Sequence, residues 1–65
     1  MSPKRLSQVI KKLRGKRTQA DIAKGAGVTK NYITMLEAGK RRNPSLPVLK
    51  RLAKALGVSV SELLD

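Results

Sequence analysis

The segment 18–39, TQADIAKGAGVTKNYITMLEAG, constrains the fold more than any other part of the chain, because it predicts two short helices joined by a tight turn. Thr18 and Asp21 have the Thr-x-x-Asp spacing of a capping box, in which both side chains satisfy free backbone N–H groups at a helix start. Gly27 ends this first helix, since glycine enters the left-handed backbone region without steric cost.

The second helix of this segment has two faces of different chemistry. Thr29 caps it, and we predict that it runs over residues 30–38 and ends at Gly39. At about 100° per residue, one side carries a core-facing set made of Ile33, Leu36 and Glu37. The opposite side carries residue types that can contact base edges in the major groove of DNA, namely Lys30, Asn31, Thr34 and Met35.

The spacing within the segment resembles the helix-turn-helix of the Cro and phage-repressor (XRE) family. That family has Gln opening the first helix, then Ala, Gly and an aliphatic residue at fixed offsets, which here correspond to Gln19, Ala23, Gly27 and Ile33. Ala23 is small where two helices cross closely, and Ile33 fills the wedge between them. The resemblance continues through the segments LEAG, NPSL and LGV and covers residues 6–64. It implies an all-α, compact five-helix, lambda-repressor-like DNA-binding domain spanning residues 1–65.

The charge of the chain favours a polyanionic partner. Fifteen Lys and Arg against four Asp and Glu give a formal net charge of +11. Nucleic acid and an anionic membrane surface are the two candidates, but no segment approaches the ~20 apolar residues of a membrane span. The first residues also lack the apolar run of a secretion signal, so with the resemblance we expect a cytoplasmic, nucleoid-associated protein of a bacterium or phage.

The remaining segments predict three further helices. The first starts near Pro3, carries the apolar stripe Leu6, Val9, Ile10 and Leu13, and ends at Gly15. The fourth begins at Ser45 or Leu46 and ends at Gly57, with an inner face of Leu49, Leu52, Ala53 and Leu56. Ser59 and Glu62 form a second capping box that starts a short fifth helix. Gly25 leaves two alternatives open: either the second helix frays early, or another element approaches its backbone closely.

Glu37 needs a cationic partner, because it lies at a helix C-terminus where the macrodipole disfavours a carboxylate. In proteins that this chain resembles, a basic residue of the first helix pairs with the matching acidic residue. That alignment makes Lys12 the first candidate and Arg14 the second.

The resemblance also indicates which residues contact the DNA backbone. Gln19 lies beside free N–H groups at a positive helix end, where a phosphate can bind. Arg17 occupies a position where the family commonly has an apolar residue. Two alternatives remain for it, a phosphate contact or a side chain exposed to solvent. The other expected phosphate contacts are Thr29, Tyr32, Lys40, Arg41, Arg42 and Asn43.

Residue types exclude several classes of function. With no Cys and no His, and with four scattered acidic residues, the chain offers no acid–base pair, no metal cluster and no disulfide. We therefore expect no enzyme activity, no metal, no cofactor and no small-molecule ligand. Sequence-specific double-stranded DNA binding, with repression favoured over activation, is the first hypothesis. An antitoxin of a toxin–antitoxin pair and a cationic membrane-surface protein are the alternatives.

A dimer is expected because one helix in one groove reads too few base pairs to find a site in a genome. Relatives of this fold place two recognition helices ~34 Å apart on an inverted repeat. The C-terminal apolar residues predict a weak homodimer contact through Val60, Leu63 and Leu64.

Overall fold

The computed structural model describes residues 3–40 and 44–64, with the backbone alone for residues 3 and 4. Within these ranges all regular structure is helical, in the predicted order of five helices. Arg41, Arg42 and Asn43, three of the expected phosphate contacts, lie outside the described residues. The helices are α1 (Pro3–Arg14), α2 (Gln19–Ala26), α3 (Lys30–Glu37), α4 (Leu46–Leu56) and α5 (Val60–Leu64).

The capping signals of α2 are confirmed. The Thr18 hydroxyl oxygen accepts a hydrogen bond from the Asp21 backbone N–H at 3.0 Å, and the Asp21 carboxylate accepts one from the Thr18 N–H at 3.1 Å. Gly27 ends the helix with φ of 69°, and the N–H of Val28 reaches back to the carbonyl of Ala23 at 3.0 Å. This closure turns the chain sharply and starts α3 only three residues later, which sets the angle between α2 and α3.

α2 lies at the centre of the packing. It contacts both α3 and α4, while α1 packs against α3 and α5, and α4 against α5. The side chains that fill the space between the helices are aliphatic, as the composition indicates, and they are Leu6, Ile10, Ile22, Ala23, Ala26, Ile33, Leu36, Leu49, Leu52, Ala53, Leu56 and Leu63.

Leu63 was expected in a dimer contact, and the structure corrects that expectation. Its side chain is 1% exposed and belongs to the core. Leu64, the next residue, is 46% exposed, and Val60 is half-buried. Successive helical residues point about 100° apart, so of these two leucines one faces the core and the other faces outward.

Gly25 is explained by the approach of α4. α2 continues through Ala26, so the alternative of early fraying is wrong. A Cβ atom placed on Gly25 would lie 3.0 Å from the Cβ of Ala55, closer than two carbon atoms normally approach. The glycine therefore lets α2 and α4 cross with their backbones close together.

The capping box predicted for α5 is half formed. The Glu62 carboxylate accepts from the Ser59 N–H at 3.1 Å. The Ser59 hydroxyl instead pairs with the Ser61 hydroxyl at 2.9 Å.

Candidate nucleic-acid interface

α3 separates its residues into a buried set and an exposed set, as expected, although at about 100° per residue Lys30 falls only about 20° from Glu37 and is exposed at the start of the helix. On the inner side Ile33, Leu36 and Glu37 are 0%, 1% and 4% exposed. On the outer side Lys30, Asn31 and Thr34 are exposed and Met35 is half-buried. With its side chains an α-helix is about 10–12 Å across, which matches the width of about 12 Å of a B-DNA major groove. The helix thus offers a short polar face of suitable size for a groove.

The N-terminus of α3 is held by Thr29, as predicted. Its hydroxyl oxygen accepts from the Tyr32 backbone N–H at 3.1 Å. Tyr32 itself is half-buried and packs against the core. A hydroxyl has one hydrogen and two lone pairs, and the cap uses a lone pair, so the Thr29 hydrogen remains available to an acceptor outside the protein.

Glu37 pairs with Arg14, the second candidate, and the prediction of Lys12 is wrong. Arg14 Nε lies 2.7 Å from Glu37 Oε2, and Arg14 Nη2 lies 2.9 Å from Glu37 Oε1. This is the two-point geometry in which a planar guanidinium matches both carboxylate oxygens. Lys12 is exposed on α1.

A buried serine shows why the sequence pattern misled the choice between Lys12 and Arg14. Ser7 is 6% exposed, so the most buried side of α1 runs through Leu6, Ser7 and Ile10 rather than along the apolar stripe alone. At about 100° per residue Arg14 projects from that side and Lys12 from nearly the opposite one. Counting Ser7 as a buried position would have selected Arg14.

The ion pair keeps both partners charged. Burial opposes ionisation of Glu37, but hydrogen bonds from Arg14 and Gln19, with the nearby positive charges, hold its pKa below the ordinary value. The hydrogen bond to Glu37 likewise raises the pKa of Arg14. The carboxylate is therefore an acceptor at neutral pH, and it ties the end of α1 to the end of α3.

Gln19 connects this ion pair to the outer face of α3. Its Nε2 donates to Glu37 Oε1 at 3.2 Å, and its Oε1 accepts from the Thr34 hydroxyl at 2.6 Å. The sequence predicted Gln19 as a phosphate contact, and the structure gives it a second role as a link between α2 and α3. One hydrogen of its amide has no acceptor among the described residues.

Arg17 has a structural role that the sequence did not indicate. Its guanidinium donates to the carbonyl oxygens of Leu13 at 2.7 Å, Arg14 at 3.2 Å, Ala55 at 3.2 Å and Leu56 at 3.1 Å. These carbonyls end α1 and α4, where helix dipoles attract a cation. Arg17 is exposed, as one of the two alternatives expected, but four of its five N–H groups bind backbone carbonyls, and its phosphate contact stays a prediction.

An open cleft lies at the N-terminus of α2. Its walls combine a helix start with basic side chains, and it is lined by Arg14, Gly15, Lys16, Arg17, Thr18, Gln19, Ala20 and Lys30. The Gln19 and Ala20 N–H groups are among the first of α2 and have no acceptor within the described part of the chain. A helix N-terminus with cations around it attracts anions such as phosphate.

The positive charge of the surface is largely uncompensated. Asp21 and Glu62 bind backbone N–H groups, and Glu37 binds Arg14, so every acidic residue in the described ranges serves an internal contact. The hydrogen bonds from Thr18 lower the pKa of Asp21. Lys40, which follows α3, is exposed.

Comparison with known proteins identifies the family. Residues 10–63 match the family described as "Helix-turn-helix". The chain belongs to the helix-turn-helix family. This agrees with the resemblance to Cro and phage-repressor proteins.

Two regulators illustrate the similarity. The HTH-type transcriptional regulator SinR of Bacillus subtilis is 36% identical over 62 residues, which is 92% of this chain and 56% of SinR. This chain therefore spans just over half the length of that relative. A structure of SinR in complex with DNA superposes with a TM-score of 0.85, at 35% identity over 92% of this chain and 98% of that one. The restriction-modification controller protein C.AhdI from Aeromonas hydrophila gives a TM-score of 0.87 at 30% identity, covering 94% of each chain.

The same helical fold also occurs within a larger enzyme. Hydroxypropylphosphonic acid epoxidase from S. wedmorenis matches 95% of this chain with a TM-score of 0.85 and 26% identity, but the match covers 34% of the enzyme. The match covers 98% of the SinR structure and 94% of C.AhdI, against 34% of the enzyme. In the described residues no helix has the length and apolar character needed to cross a bilayer.

Proposed function

We propose that this chain is a sequence-specific double-stranded DNA-binding domain of a transcriptional regulator, with α3 in the major groove. The observation that carries the proposal is the division of α3 into a core-locked side and an outer side of Lys30, Asn31, Thr34 and Met35. The similarity to the regulators SinR and C.AhdI favours this function over the antitoxin alternative. A repressor acts by covering its DNA site, which then cannot be reached by other proteins. Because repression needs no further surface for recruiting another protein, we propose repression rather than activation.

Each outer residue of α3 has a chemical counterpart in the groove. Lys30 can donate to guanine O6 and N7, and Asn31 can bond adenine N6 and N7 bidentately. The Asn31 amide approaches the Met35 sulfur at 3.6 Å, a weak contact that DNA can replace. Met35 then packs on a thymine methyl group.

Phosphate contacts surround this face. Gln19 and Thr29 each retain a hydrogen for a phosphate oxygen, at the starts of α2 and α3 respectively. Lys40 extends the same cationic surface beyond α3. We propose the same contact for Tyr32 and for Arg41, Arg42 and Asn43. In the cleft at the N-terminus of α2, we propose that Lys16 rather than Arg17 binds the phosphate.

Selection of duplexes from a random DNA pool tests the proposal. We expect an enriched motif of a few base pairs per half-site, bound in a salt-dependent manner because phosphates are neutralised. Equal recovery of all sequences would mean that the charge of +11 binds DNA without reading it.

We also propose that two copies bind one inverted repeat. Among the described residues, the exposed large apolar side chains are Leu64 at 46% and Leu46 at 53%. Val60 is half-buried and lies one helical turn before Leu64 in α5. Because these side chains are few, the free protein is expected to be mainly monomeric and to pair on DNA. Sedimentation should give near-monomer mass without DNA and two protomers per duplex with it. One protomer bound tightly to a non-palindromic site would contradict the dimer.

A further inference from the structure

We infer that Thr34 presents DNA with a hydrogen-bond acceptor only, and so reads the exocyclic amino group of adenine or cytosine. This specificity rests on the proposed function, in which α3 lies in the major groove. It comes from a chain of hydrogen bonds that starts at the buried ion pair and ends on the outer face of α3. The direction of every donor in that chain is fixed by chemistry.

The direction is set at Glu37. Arg14 can only donate and the ionised Glu37 can only accept. Glu37 Oε1, already bound to Arg14 at 2.9 Å, lies 3.2 Å from the Gln19 amide. Only the NH2 end of that amide can donate, so Nε2 must face Glu37. The orientation of the Gln19 amide is thereby determined.

The hydroxyl of Thr34 must then donate to the protein. With Nε2 toward Glu37, the amide oxygen Oε1 of Gln19 faces Thr34 Oγ1 at 2.6 Å, and an amide oxygen has no hydrogen to give. The second neighbour of Thr34 Oγ1, the carbonyl oxygen of Lys30 at 3.1 Å, is also an acceptor. Whichever of the two receives it, the single hydroxyl hydrogen of Thr34 stays within the protein.

What remains on this exposed side chain is the two lone pairs of the hydroxyl oxygen and a methyl group. In the major groove the donors are the N6 amino group of adenine and the N4 amino group of cytosine. Guanine O6 and N7 and thymine O4 are acceptors and cannot bond a Thr34 hydroxyl that has no hydrogen to offer. A threonine without these internal partners would serve both classes equally. The network thus converts an ambiguous residue into a selective one.

Functional-group substitution in the DNA tests this polarity. The first step identifies, by pool selection, the base pair whose preference relaxes in Thr34→Val, which keeps the shape and loses the hydroxyl. At that pair the amino group is removed in one duplex, with purine replacing adenine or 2-pyrimidinone replacing cytosine. In a second duplex the purine N7 is replaced by carbon.

Loss of the amino group should weaken the unmodified protein about two- to tenfold, the worth of one hydrogen bond, and leave Thr34→Val unchanged. The N7 replacement should affect both proteins by the same factor. Thr34→Ser, which keeps the hydroxyl, should retain the dependence on the amino group and acts as the matched control. Thermal unfolding of both variants checks that the fold is intact.

Three results would overturn the inference. The first is a loss of affinity on N7 replacement that occurs in the unmodified protein and not in Thr34→Val. The second is a loss of affinity on removal of the amino group that is equal in both proteins. The third is that Thr34→Val relaxes the preference at no base pair. Each differs from failure of the proposed function, in which the unmodified protein enriches no motif at all.

Discussion

Replacing Arg14 with alanine should destabilise the fold far more than replacing Lys12, an exposed cation of the same helix. The substitution leaves the Glu37 carboxylate, 4% exposed, with the Gln19 amide as its remaining side-chain partner. It also removes the ion pair that joins the C-terminal end of α1 to that of α3. Lys12→Ala removes the same charge two residues earlier on an exposed surface and is the matched control.

The expected loss follows from burial. Removing one partner of a fully buried ion pair costs about 3–5 kcal/mol, mostly because the other charge is left buried and unpaired. Here the Arg14 side chain is 22% exposed, so water can reach the vacated space, and we expect about 2–3 kcal/mol. A domain of this size has a free energy of unfolding of about 3–10 kcal/mol, so the variant loses a large fraction of it.

Urea unfolding followed by far-ultraviolet circular dichroism measures this loss. Arg14→Ala should lower the urea midpoint at unchanged slope, and its Tm should fall by about 10–20 °C. Lys12→Ala should remain within about 0.5 kcal/mol of the unmodified protein. The reasoning is refuted if the two variants lose the same stability, because the contact with Glu37 would then contribute nothing measurable.

Three further predictions test other contacts. Folding lowers the pKa of Glu37, so the contribution of Glu37 to the free energy of unfolding is present above its ordinary pKa of about 4.5 and is lost as the pH falls through the folded value. The free energy of unfolding should therefore decrease in acid, and it should decrease less steeply in Glu37→Gln. An equal slope in the two proteins would contradict the pairing with Arg14. Gly25→Ala should lower the free energy of unfolding by about 1 kcal/mol, because overpacking against Ala55 outweighs the gain in helix propensity. Adding Ala55→Gly to this variant should recover the loss. If Gly25→Ala alone were more stable than the unmodified protein, α4 would be able to move away from the added methyl group. Arg17→Ala should lower the free energy of unfolding by about 1 kcal/mol and leave the salt dependence of DNA binding unchanged. Lys40→Ala should instead reduce the slope of log affinity against log salt concentration by about 1. A reduced slope in Arg17→Ala would show that Arg17 contacts a phosphate.

Local signals in the sequence were sufficient for the order of the helices. Capping residues such as Thr18 and Thr29 act through neighbours two or three positions away, so their effect is visible in a short segment. Helical periodicity equally places Asn31 and Met35 opposite Ile33 and Leu36, whereas the exposure of Lys30 reflects its position at the start of α3. The turn at Gly27 needs a positive φ, which the residue type itself indicates.

Contacts between distant segments were harder to predict. Arg17 binds carbonyls 38 and 39 residues away, and a long flexible cation at a helix boundary gives no sign of such partners. Gly25 left early fraying and a close approach open, and only the packing shows that Ala55 makes the approach. Leu63 and Leu64 are equally apolar, and only the rotation of α5 against the core separates them. These features depend on how the helices pack, which no single segment determines.

The central claim is that the outer face of α3 reads the base sequence. The most direct measurement compares the affinity for the selected duplex with that for a scrambled duplex at one salt concentration, in the unmodified protein, Asn31→Ala and Lys50→Ala. Lys50 is exposed on α4 and serves as the matched surface control. We predict that Asn31→Ala loses about 1–3 kcal/mol on the selected duplex and little on the scrambled one, while Lys50→Ala keeps the ratio of the two affinities. An unchanged ratio in Asn31→Ala, or a loss of equal size on both duplexes, would contradict the assignment of α3 as the element that reads DNA.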